Sequence, residues 1–326
     1  MVSARKKIRI ISTGGTIAEG HPSANERHHQ SGVDMLRQLS DVVEAELSVL
    51  DLFDLSSTFM TFEHMTGVSA AVRKAAAEGM DGVVVTHGTD TLEETAYFID
   101  LTAGVDVPVV ITGAMLPPTS PGSDASGNLR DAIQVAMTKE VAGLGVVVAM
   151  AGQIHTARDV RKAHSTSMTA FTSGEFGPLG FIEEGRVAIY RRVAPVTALA
   201  LDRVTSRVEA IKCYAAMTDL LLQTLVTSKV DGIVLETLGS GQIPPWIMGS
   251  VRQATSAGIA VAATTRCAGG RLIRGGHGLP VRTEGDERDL LQAGVLFSDL
   301  QGIKARIRLA VGISAGLSRS ELRKWF

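Results

Sequence analysis

The sequence has little with which to cross-link itself, enter a bilayer or hold nucleic acid. Its only cysteines, Cys213 and Cys267, are far apart and outside any Cys-x-x-Cys spacing. That excludes a disulfide framework and is the usage of a reducing compartment, so the cytoplasm is the expected location. Neither sign of charge dominates: 32 basic side chains stand against 34 acidic ones, with no basic stripe. Nucleic acid is therefore not an expected partner. No uninterrupted apolar run approaches the ~18–20 residues of a membrane span. The first isoleucine-rich stretch, Ile8–Ile11 after Arg5-Lys6-Lys7, is too short for a secretory segment and no small-residue cleavage site follows it. Aromatic residues make up only 4% of the chain.

The chain does have aliphatic residues in short runs, which is how buried parallel strands read. With 326 residues, 45% of them hydrophobic, it has material for two domains. Ile8–Ser12, Gly82–Thr86, Val107–Thr112 and Gly145–Met150 are expected strands. Gly67–Glu78, Thr91–Ala103 and Ser126–Glu140 are expected helices, and Leu92, Ala96, Ile99 and Ala103 fall on one helical face. Arg186–Arg192 reads as a further strand. Alternation then restarts with Val208–Lys212, Ala216–Thr227, Gly232–Glu236, Pro244–Ser256 and Ile259–Ala263, and a helix near Leu300–Gly312 is expected to close the chain. The expected fold is α/β: a larger N-terminal domain (1–192) with a mainly parallel sheet covered by helices, a linker (193–207), and a smaller C-terminal α/β domain (208–326).

Open parallel sheets bind ligands beyond the carboxyl ends of their strands. Two loops there carry chemistry. Thr13-Gly14-Gly15-Thr16-Ile17-Ala18 follows the first strand; its paired glycines permit a sharp turn with exposed N–H groups beside a hydroxyl. Thr86-His87-Gly88-Thr89-Asp90-Thr91 follows the second and opens onto a helix N-terminus, where amides favour negative charge. Each has a plain structural alternative. Asp90 with Glu93 fits a helix-capping box, and Thr13–Thr16 fits an ordinary turn. A phosphate loop is excluded, because neither GxGxxG nor GxxxxGK[ST] is present. Gly312-Ile313-Ser314-Ala315-Gly316 matches the GxSxG elbow, but a helical pattern precedes it and no histidine follows, so a serine hydrolase is rejected.

The pair TGGTIA and HGTDT, about seventy residues apart, resembles the two signature motifs of the bacterial L-asparaginase family. Thr112-Gly113-Ala114-Met115 with Ser123, Asp124 and Asn128, Arg158-Asp159-Val160-Arg161-Lys162, and Gly239-Ser240-Gly241-Gln242 extend the similarity over essentially the whole chain. The resemblance implies hydrolysis of the side-chain amide of L-asparagine, with glutamine open, through a threonine acyl-enzyme. It implies Thr16 as nucleophile and Thr89, Asp90 and Lys162 as the activating group. It further implies Ser57 as the holder of the α-carboxylate and Asp90 as the partner of the α-ammonium. Thr58 stands where periplasmic members carry glutamine. A hydroxyl needs a neighbouring base, and a lysine serves if burial lowers its pKa. Backbone amides at Gly15 and Gly88 are placed to steady an oxyanion. No metal or cofactor is called for, and a homotetramer built as a dimer of close dimers is implied.

The family's lid tyrosine is missing: the loop after TGGTIA holds His21, His28 and His29 but no tyrosine. His28 or His29 is the candidate replacement base. A solvated lid and a zinc site are the alternatives, the latter without an HExxH or cysteine partner. Glu284 or Glu287 is the nearest match for the acid that the family borrows from a neighbouring subunit. Two rival functions remain: an amidase acting on a glutamyl-tRNA, and an asparagine- or aspartate-binding regulator with weak or no catalysis.

Overall fold

A computed structural model describes residues 5–18, 44–194, 196–273 and 282–326. The chain divides into two compact units, between Asp202 and Arg203.

The first unit is built on an eight-stranded sheet. Its strands are β1 (Lys6–Ser12), β2 (Ala45–Asp51), β3 (Gly82–Thr86), β4 (Val109–Thr112), β5 (Val146–Met150), β6 (Gln153–Thr156), β9 (Gly180–Glu183) and β10 (Arg186–Ile189), ordered β10-β9-β6-β5-β4-β3-β1-β2. From β5 to β2 every pairing is parallel; β6, β9 and β10 continue the sheet antiparallel. Between β6 and β9 lies a small antiparallel pair, β7 (Arg161–Lys162) and β8 (Phe171–Thr172).

Strand alternation sends side chains to two separate cores, so both faces are buried. Ile8, Ile10, Val84, Val110 and Val147 meet the helix α3 (Ala125–Met137) through Leu129, Ala132, Ile133 and Ala136. Ile11, Val83, Val85, Ile111 and Val148 meet α1 (Phe62–Ala77) and α2 (Leu92–Thr102) through Val68, Val72, Leu92, Ala96 and Ile99. At ~25 cal/mol per Å² of apolar surface, this two-sided burial is the main stabilising term.

The second unit carries β11 (Val208–Lys212), β12 (Gly232–Thr237), β13 (Ala260–Thr265) and β14 (Leu296–Phe297), all parallel and in that order. Helices α4 (Leu220–Thr227), α5 (Met248–Ser256) and α6 (Glu287–Gln292) bury Leu222, Met248, Val251 and Leu290 with one face of the sheet. Helix α7 (Gly302–Ser314) packs on β11, β12 and β13.

Several boundaries differ from the sequence reading, for local reasons. Helix α1 starts five residues earlier than expected, because Thr61 and His64 form a capping box with histidine in the usual Glu/Gln place. Helix α4 starts at Leu220 rather than Ala216, whose φ of 58° is left-handed and cannot begin a helix. Pro244 is extended before Pro245, and a 3-10 turn precedes α5. Helix α3 ends at Met137 and β10 at Ile189, short of Glu140 and Arg192. The helix near Leu300–Gly312 is not the last: α8 (Arg319–Trp325) follows, capped reciprocally by Ser318 and Glu321. Ser314, the serine of the rejected elbow, ends α7, where its oxygen accepts the amides of Thr205 and Ser206.

Candidate active site

Register places the two signature loops side by side. Ser12 pairs with Thr86 and Thr86 with Thr112, so three parallel strands end at one level and release their loops together. Thr13 then binds across: its amide and hydroxyl both donate to the Thr86 carbonyl, at 3.2 and 2.9 Å.

Beyond that point the loops touch backbone to backbone. Gly15 has a φ of +81°, and a Cβ there would lie 2.5 Å from both Cα and N of Gly88. A Cβ on Gly88 would in turn lie 2.8 Å from the Ser57 hydroxyl. Only glycine permits both the left-handed turn and the close approach. Ser57, buried in a 3-10 turn with Thr58 and Phe59, is tied to the second loop by the Thr91 hydroxyl, which donates 2.8 Å to the Ser57 carbonyl.

The pocket at this junction is lined by Gly15, Thr16, Ser57, Gly88, Thr89, Asp90 and Lys162. Asp54, Leu55, Ser56, Phe59, Met115, Leu116, Ser165 and Thr166 complete its wall. Lys162 extends from β7 so that Nζ donates to Thr89 Oγ1 at 2.9 Å and to Asp90 Oδ1 at 2.6 Å. Its side chain is 14% exposed against 61% for Asp90, so the ion pair is sheltered on the lysine side and open on the other. Among the described residues, the amides of Gly88 and Thr89 make no backbone hydrogen bond. They are available to an anionic or developing-oxyanion ligand.

Asp90 does not cap α2. The N-cap is Thr91, with no side-chain cap bond, so the carboxylate of Asp90 is left for Lys162. His87 lies fully buried beneath the loop, and burial lowers its pKa to about 4, partly offset by its bond to Gly88. The ring is neutral, and Nδ1–H donates to the Gly88 carbonyl at 2.7 Å. The Met115–Leu116 wall is set by Asp124, whose carboxylate accepts both amides at 3.0 Å. Asn128 donates to that same carboxylate and to the Gly113 carbonyl.

Two family models match the chain. "Asparaginase, N-terminal" matches residues 7–195 and "Glutaminase/Asparaginase C-terminal domain" matches 207–326. The chain belongs to the asparaginase family. It is 35% identical to an L-asparaginase of Bacillus licheniformis over 94% of this chain and 95% of that one. L-asparaginase 2 of Escherichia coli (strain K12) is 34% identical over 81% and 78%. A glutaminase-asparaginase of Pseudomonas aeruginosa is 31% identical over 97% and 89%.

Within this asparaginase-family chain, Thr16, Thr89, Asp90 and Lys162 meet at one pocket with Gly15, Ser57 and Gly88. Thr58 is exposed and is not among the lining residues; its hydroxyl lies 3.0 Å from that of Ser56. His21, His28 and His29 lie outside the described residues. In the second unit Glu284 is bound to Arg252 at 2.9 Å. Glu287 opens α6 beside the glycine loop, its Cβ 3.3 Å from where a Cβ on Gly241 would stand. Among the described residues, no cluster of three or more His, Cys, Asp or Glu could hold a metal, and no helix is long and apolar enough to cross a membrane.

Phe59, Ser165 and Thr166 are pocket residues that sequence reasoning did not single out. The one signal for the last two was the cluster of hydroxyls, Ser165, Thr166, Ser167 and Thr169, within the seven residues after Lys162.

Proposed function

We propose that this chain hydrolyses the side-chain amide of L-asparagine to aspartate and ammonia, with glutamine as the second substrate to test. The observation that carries the reading is the Lys162 ammonium within 2.9 Å of Thr89 and 2.6 Å of Asp90, in a pocket that Thr16 also lines.

Thr16 Oγ1 adds to the side-chain carbonyl carbon while its proton passes towards the Thr89–Lys162 pair. That pair accepts protons when the amine is neutral, and Asp90 orients it. Oxyanion charge falls on the amides of the two glycine turns. The C–N bond breaks, nitrogen leaves as ammonia with the added proton, and an ester to Thr16 remains. Water, deprotonated by the same pair, cleaves the ester; Thr16 regains its proton and aspartate departs. Ser57 and Asp90 hold the α-carboxylate and α-ammonium, and His28 or His29 stands in for the lid tyrosine.

The wider reading follows the resemblance. It comprises catalytic loops in a domain of residues 1–192, a linker at 193–207 and a C-terminal domain at 208–326, assembled as a homotetramer. Of the two acids considered for a neighbouring subunit's pocket, Glu287 is favoured, because Glu284 is engaged by Arg252. A cytoplasmic location is supported by Cys213 and Cys267, both free thiols.

Ammonia release from asparagine and glutamine by wild type and Thr16→Ala tests the reading. Turnover should vanish in the variant while aspartate still binds. Wild type that binds aspartate without releasing ammonia would replace the hydrolase with a sensor.

A further inference from the structure

Lys162 ends β7, and residues 163–170 loop back to β8. One backbone bond, from Ala163 N to the Ala170 carbonyl at 2.7 Å, closes the base of this hairpin. Side chains hold its tip instead. Nδ1 of His164 accepts the amides of Thr166 and Ser167 at 3.1 and 2.9 Å, and the Ser167 hydroxyl accepts the Thr169 amide at 3.2 Å. Two N–H donors on one ring nitrogen require a lone pair there, which leaves the neutral ring's proton on Nε2. The residues enclosed by these bonds, Ser165 and Thr166, line the pocket with Lys162, whereas His164 is exposed and does not.

We propose that His164 is a positioning residue for substrate: it fixes the hydroxyl-bearing tip Ser165–Thr166 against the bound amino-acid amide. The inference rests on the hydrolase reading above. An exposed imidazole buries little and adds little to the core, so its two acceptor bonds are what it contributes. Without them the amides of Thr166 and Ser167 turn to water, and the tip samples many conformations. Ordering it again on binding then weakens substrate affinity. Lys162 is held independently, by β7–β8 pairing and by Thr89 and Asp90. The consequence therefore falls on KM and leaves kcat in place.

The test compares His164→Asn, His164→Gln and His164→Ala by steady-state ammonia release, with the aspartate Kd measured by calorimetry. Asparagine places an acceptor oxygen on Cγ, as Nδ1 is placed, and accepts amides two and three residues on; glutamine places it one bond further out. KM and Kd should rise roughly fivefold in the Ala and Gln variants, with kcat within about twofold, and stay near wild type in the Asn variant. In a Ser165→Ala/Thr166→Ala background, His164→Ala should add almost nothing, since the side chains it positions are gone. Equal behaviour of all three substitutions, full additivity in that background, or a loss confined to kcat would each overturn the inference. So would an Ala variant whose melting temperature collapses together with activity, because His164 would then be holding the fold. If wild type itself releases no ammonia, the hydrolase reading falls and takes the inference with it. An active wild type with indifferent variants removes the inference alone.

Discussion

Acidification should weaken the first unit through one identifiable ring. Burial holds His87 at a pKa of about 4 against 6.5 for the free side chain. Between those values the unfolded chain binds a proton that the folded chain refuses, so stability contributed above pH 6.5 is lost as pH falls towards 4. At ~1.4 kcal/mol per pKa unit the full loss is about 3 kcal/mol, with a limiting slope near one proton. Replacing His87 with asparagine removes the titration but keeps an N–H for the Gly88 carbonyl. Urea unfolding should be followed by far-ultraviolet circular dichroism, because both tryptophans, Trp246 and Trp325, lie in the second unit and report on it alone. Wild type should lose up to about 3 kcal/mol more than His87→Asn between pH 6.5 and 4. Parallel stability curves for the two proteins would refute the argument, since they would mean the ring takes its proton without unfolding.

Other expectations follow from single contacts. Gly15→Ala forces a Cβ to within 2.5 Å of Gly88 backbone at a φ of +81° and should abolish turnover; near-normal ammonia release would show that the loops do not need that approach. Lys162→Met should lower kcat by about a thousandfold or more with aspartate Kd changed far less, checked by single-turnover kinetics and calorimetry. Asp124→Ala frees the amides of Met115 and Leu116 and should raise KM several-fold while kcat holds; an unchanged KM would place that wall outside the binding surface.

The sequence was most legible where burial was complete. Gly82–Thr86 is an all-buried run read with its correct ends, and the stripe Leu92, Ala96, Ile99, Ala103 is the face α2 turns to the core. Two edge strands, β2 and β14, were missed. Strand β2 is only half-buried with Glu46 and Asp51 in it, and β14 is two residues long, so neither shows a strong period. Capping signals failed in both directions. His64 caps in the place where the usual pattern has glutamate or glutamine, while Asp90 and Glu93, which match the pattern, do not cap. In the pocket, motif residues could be named from the chain, but Ser165, Thr166 and Phe59 could not. Their place depends on a hairpin fold and a 3-10 turn that leave no periodic trace.

The contact between Gly15 and Gly88 makes the two motifs a single object. The Gly88 backbone occupies the space that a side chain on Gly15 would need, although 73 residues separate them. Gly15 cannot gain a side chain while the Gly88 backbone stands against it, so the first loop is built to fit the second. The contact also ties the birth of the pocket to the moment β1 docks on β3: a nascent chain that stops short of that pairing has Thr16 but no pocket for it to line.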